Sequence, residues 1–112
     1  MILVANLVIA LVALLHLWFL VLEMFLWTKP LGMKTFRLTP EFAAASKSLA
    51  MNQGLYNGFL AAGLGSGDTA VKLFFLGCVV IAGVFGAATV SRRIFWIQAL
   101  PALIGGALLL VA

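Results

Sequence analysis

Residues 2–27 run through apolar side chains with only three polar interruptions, Asn6, His16 and Glu23. A helix needs about 20 such residues to cross the hydrocarbon core of a bilayer. No basic stretch precedes this run, it is too long for the apolar part of a signal peptide, and no small-residue cleavage signal follows. It is therefore expected to be a retained span. Composition points the same way, with 65% of the 112 residues hydrophobic and 9% charged. A soluble domain is roughly a quarter charged, so charges this few cannot coat a water-facing surface. One cysteine, Cys78, excludes a disulfide scaffold. The 7 Lys+Arg against 3 Asp+Glu, net +4, fit an anionic membrane surface better than nucleic acid.

The rest of the chain reads as three more helices. Residues 28–39 carry Lys29, Pro30, Gly32, Lys34 and Arg37 and form a polar connector. Thr39-Pro40-Glu41 is a helix start: a Thr cap, a proline in the first turn, and an acid near the positive end of the helix dipole. The second helix then covers about 40–64, and Gly65-Ser66-Gly67-Asp68 makes a tight turn. The third covers about 69–90, Ser91-Arg92-Arg93 closes it, and the fourth covers about 94–112. Short connections make consecutive helices antiparallel neighbours. The expectation is an all-α, integral membrane, up-down four-helix bundle in a single domain, residues 1–112.

Charge orients it. The first and third connectors lie on one side and collect Lys29, Lys34, Arg37, Arg92 and Arg93, while the other side has only Lys72 beside Asp68. By the positive-inside rule the loops 28–39 and 91–93 are cytoplasmic and both termini are extracytoplasmic. The protein is expected to be multi-pass in the cell membrane, with the lipid bilayer as its first partner. Small residues provide packing seams: Ala50, Gly54, Gly58 and Ala62 on the second helix, Gly83 with Ala87 and Ala82 with Gly86 on the third, and Ala102, Gly105 and Gly106 on the fourth. Pro101 is expected to kink the fourth helix, free the carbonyl of Ile97 and turn Gln98 inward.

The informative side chains are those that do not belong in hydrocarbon. His16 and Glu23 are seven apart and share a helix face. Counted from Trp27, His16 lies near mid-bilayer and Glu23 about 6 Å from the cytoplasmic helix end. Asn52, Gln53, Tyr56 and Asn57 form a polar arc on the second helix, and Asn52 and Gln53 reach the depth of His16. Lys47 and Gln98 reach the depth of Glu23. Ionisable groups at such depths are costly and face a bundle interior or a wet cavity. Amides alone often serve only as interhelical glue. The pairing of an imidazole with a carboxyl adds groups suited to moving protons.

Two functional classes stay open beside a purely structural or accessory role. One is an enzyme of isomerase or hydratase type acting on a small apolar or amphipathic molecule. Its catalytic residues would be His16 and Glu23, and its ligand-binding residues Asn52, Gln53, Tyr56, Asn57 and Gln98. The other is a proton-coupled transporter or channel. No metal-ligand spacing, phosphate-cradling glycine loop or Ser-His-Asp set is present, so no metal or other cofactor is expected. Cys78 is assigned no role. So small a bundle has little interior of its own, and a homo-oligomer is expected.

The strings HLWFLVLEMFLW at 16–27 and NQGLYNGFLAAGL at 52–64 resemble a family of small four-span membrane proteins of bacteria and fungi. That family is catalogued as a domain of unknown function, number thirteen-oh-four. The resemblance covers the whole chain and implies an integral membrane protein, without supplying an activity. The second string is also loosely similar to a motif of membrane epoxide isomerases that bind haem between subunits. Asn52 stands where their haem-ligating histidine would be, so the likeness brings no haem ligand.

Overall fold

The computed structural model describes residues 1–112 and contains helices and turns, with no strand. The helices are α1 (Ile2–Met24), α2 (Pro30–Phe36), α3 (Pro40–Leu64), α4 (Thr69–Thr89) and α5 (Leu100–Val111), with a π-helical turn, Phe95–Ala99, ahead of α5. α1 and α4 are long and apolar enough to cross a membrane, and Phe95–Val111 is a shorter apolar stretch. Only 22% of the apolar window of α1 and 17% of that of α4 is buried. Core helices of a soluble protein would be largely covered. Exposed Leu3, Leu7, Leu11, Leu14, Phe74, Ile81 and Phe85 instead need an apolar surrounding. The protein is helical and membrane-associated.

The chain forms two compact units. One comprises residues 1–14 and 60–112, the other 15–59. In the first unit Ala5, Ile9 and Val12 of α1 pack with Leu64, with Leu76 and Val79 of α4, and with Ala102 and Leu109 of α5. The turn before α4 is built by its own side chains. The Asp68 carboxylate accepts from the amides of Ala70 (2.8 Å) and Val71 (3.2 Å), which caps the helix. The close approaches come from glycine. A Cβ on Gly83 would lie 2.7 Å from the Ala99 amide nitrogen, and one on Gly86 would lie 2.9 Å from Ile94. Gly106 sits in open space and is no seam.

Pro101 acts differently from the expected simple kink. Having no N–H to offer the carbonyl of Ile97, it leaves the preceding turn to widen, and the Leu100 amide bonds the carbonyl of Phe95, five residues back. The expected single helix 94–112 is thus a π-turn followed by α5.

In the second unit α1 ends at Met24, three residues short of the expected 27. The expected connector holds a helix of its own, α2, started by Pro30. α2 ends on Arg37, the one non-glycine residue with positive φ (56°). The Leu38 amide closes onto the carbonyl of Met33 at 2.8 Å, the bond pattern that usually places glycine at this position. A left-handed non-glycine residue costs about 1 kcal/mol or more. Arg37→Gly is therefore expected to raise stability by about 1 kcal/mol, measured as the shift in unfolding midpoint in detergent micelles.

Candidate functional site

His16, Glu23, Asn52, Gln53, Tyr56 and Asn57 all belong to the unit 15–59, whereas Gln98 belongs to the other. The two helices of the site are anchored near their shared end. The start of α3 is as expected from sequence, with the Thr39 hydroxyl accepting from the Phe42 amide at 3.2 Å. The Trp27 indole N–H donates to Ser46 Oγ at 3.1 Å, and that hydroxyl in turn donates to the carbonyl of Phe42 at 2.6 Å. The Trp27 ring lies tilted on Phe36 with centroids 5.0 Å apart.

Glycine lets α1 and α3 approach each other beyond this anchor. A Cβ on Gly54 would stand 3.3 Å from both the Glu23 Cβ and the Leu20 carbonyl oxygen, and against the Met24 side chain. One turn on, a Cβ on Gly58 would stand 2.8 Å from Leu20. Ala50 is buried on the same face. The expected seam therefore exists through Ala50, Gly54 and Gly58, but Ala62 is exposed and Ala61 takes the buried place.

The approach brings two site residues together. The Asn57 side-chain amide donates to Glu23 Oε1, and Glu23 is only 7% exposed. His16 is fully buried, with the Phe19 ring edge-on at 5.3 Å. These are the two buried ionisable or polar residues of the chain. They lie on one face of α1, about 10 Å apart along its axis. Within this unit, then, an acid and an imidazole are withdrawn from the surface, and an amide from a second helix fixes the acid.

The other expected members divide. Asn52 and Gln53 are exposed, and Tyr56 is 59% exposed with its ring edge-on to Phe59 at 6.0 Å. Lys47 is exposed as well. Gln98 sits half-buried within the π-turn. No group of three or more His, Cys, Asp and Glu side chains comes together as a metal would require.

Sequence reasoning misses the Trp27–Ser46 bond and a second polar contact. In the unit formed by 1–14 and 60–112, Lys72 Nζ donates to Asn6 Oδ1 at 3.0 Å. Asn6 and Lys72 are polar interruptions of apolar helices, one turn or so from the ends, and matching their depths is the signal that would have paired them.

Residues 10–110 match a family model described as Protein of unknown function (DUF1304). No curated protein and no solved structure matches the chain.

Proposed function

The chain belongs to the family of unknown function DUF1304, and from its own residues we propose that it is a four-span membrane protein that handles protons on a small apolar or amphipathic molecule. The observation that carries this reading is the buried Glu23, held by Asn57, on the same helix face as the fully buried His16. Hydrocarbon-depth ionisable residues are expensive and are kept where they act. Their separation of about 10 Å along the axis is too long for a direct proton hop. A molecule brought within reach of both groups would lose a proton from one carbon to one of them and regain a proton at another carbon from the other. Such an isomerisation is redox-neutral and needs no oxidant. Addition of water across a double bond would use the same two groups.

In this reading the spans are α1, α3, α4 and the segment Phe95–Val111, with both termini extracytoplasmic and the basic residues of 28–39 and 91–93 at the cytoplasmic surface. Asn52, Gln53, Tyr56 and Gln98 then provide polar contacts at defined depths, in a homo-oligomer. A proton-coupled carrier is the second reading, favoured by the π-turn at Gln98. Irregular backbone at membrane depth is found where a cavity is lined or protein covers it.

The reading is tested by isotope exchange, which requires no substrate to be chosen in advance. Protein in vesicles made with an apolar extract of its native membrane is incubated in deuterated water, and the extract is analysed by mass spectrometry. Deuterium is expected to enter a small apolar component with wild type and to fall at least ~100-fold with Glu23→Gln or His16→Ala, in line with loss of an acid-base group. Absence of exchange together with proton flux into dye-loaded vesicles would favour the carrier. Neither signal would leave a structural subunit.

A further inference from the structure

α3 carries a second polar feature, on the face opposite Glu23. Ser48, Asn52 and Tyr56 follow one another at four-residue intervals and are all exposed. The residues that pack α3 onto α1, namely Ala50, Gly54 and Asn57, lie about 140–160° round the helix from Asn52. The outward stripe has no use in the contact between Glu23 and Asn57. On a helix in water it would be unremarkable. At the centre of a span it faces hydrocarbon, where a carboxamide finds no partner and where polar residues are normally turned toward protein.

We propose that this face of α3 is where two copies of the chain pair in the membrane. The inference rests on the reading of α3 as a span. A second copy fits the face chemically. Amide and hydroxyl groups each both donate and accept, so the same stripe facing itself across a two-fold axis satisfies its own hydrogen bonds. The stripe holds no charge, so identical copies do not repel along it. Ala44, Ala45 and Ser48 are small and exposed on this side, which allows close backbone approach. Glu41 lies at the helix start, where charges stay in water. Contacts repeating every four residues belong to a right-handed crossing, centred here on Asn52. The arrangement leaves the contact between Glu23 and Asn57 in each copy undisturbed.

Single cysteines test this in a Cys78→Ser background in native membranes, with copper-phenanthroline as oxidant. Disulfide-linked dimers are expected for Ser48→Cys, Asn52→Cys and Tyr56→Cys, and none for Gln53→Cys, about 100° round the helix from Asn52, or Lys47→Cys, about 140° round. In a dilution assay by energy transfer, Asn52→Leu is expected to weaken pairing about threefold or more, with Asn52→Gln close to wild type. A water-soluble maleimide separates the two levels of the argument. If Asn52→Cys is shielded from the reagent but never cross-links, the pairing is overturned and the span stands. If Asn52→Cys is labelled freely and never cross-links, the span and the pairing fall together.

Discussion

Gly54→Leu is expected to cost about 3 kcal/mol or more of stability and to leave little folded protein. At this position α1 presents backbone as well as side chain. A Cβ stands 3.3 Å from the Leu20 carbonyl oxygen and 3.3 Å from the Glu23 Cβ, with the Met24 side chain in the way. Met24 can turn aside. The Leu20 carbonyl is fixed by its own helix and cannot. An isobutyl group would therefore force α3 away from α1 and pull Asn57 off the Glu23 carboxyl. The graded substitution separates these causes. Gly54→Ala should cost less and should be partly rescued by Met24→Ala, since the methyl then meets mainly the Glu23 Cβ and the Leu20 oxygen. Gly77→Leu is the control, because a Cβ there meets nothing within 4 Å. Denaturation in mixed micelles, followed by circular dichroism, gives all the values. Equal losses at Gly54 and Gly77 would show that the approach of α1 and α3 at this point is not tight.

Asn57→Ala is expected to cost about 2 kcal/mol, because it leaves the buried Glu23 carboxyl without the amide that serves it. The cost belongs to the stranded partner more than to the bond itself. Replacing both residues by apolar ones, Glu23→Leu with Asn57→Leu, should therefore recover most of the loss. A double-mutant cycle is expected to give a coupling of about 1–2 kcal/mol. Additive single effects would mean that the two side chains do not depend on each other. The doubly apolar protein also separates the functional readings. A structural role for the pair survives its removal if packing is restored, whereas proton exchange does not.

How far the sequence can be read follows from which physical signals are local. The Thr39-Pro40-Glu41 start and the Gly65–Asp68 turn are decided within one turn, and both appear where expected. α2 escapes a sequence reading because its seven residues are too few to show a hydrophobic period. It depends on Pro30 at its start and on Arg37 accepting a left-handed conformation at its end. The π-turn depends on how Pro101 redistributes hydrogen bonds, and a proline alone announces only that some bond is missing.

The candidate site is legible in its members but in neither their level nor their azimuth. Counting residues from the helix ends puts Glu23 level with Lys47, whereas the residues of α3 that meet it are Gly54 and Asn57. Grouping Asn52, Gln53, Tyr56 and Asn57 as one arc hides the fact that Asn52 and Tyr56 lie about 140° and 100° round the helix from Asn57. Only the glycines say which side faces α1. Gly54 and Gly58 lie about 60° and 100° round the helix from Asn57 but about 120–160° from Asn52 and Tyr56, so close helix approach selects that amide and turns Asn52 and Tyr56 away. His16 and Glu23 lie seven apart, nearly two full turns, so the helical period alone puts both on one face.

The central claim is that the Glu23 carboxyl lies inside the membrane, in the contact between α1 and α3. The chain has three acids, Glu23, Glu41 and Asp68, and they form an internal comparison. Vesicles are treated in parallel with dicyclohexylcarbodiimide, which partitions into lipid, and with a water-soluble carbodiimide plus an amine. Adducts are then located by mass spectrometry. The lipid-soluble reagent is expected to modify Glu23, and the water-soluble one to modify Glu41 and Asp68 while sparing Glu23. Modification of Glu23 from water at the rate of Glu41, with no labelling from the lipid side, would contradict the account.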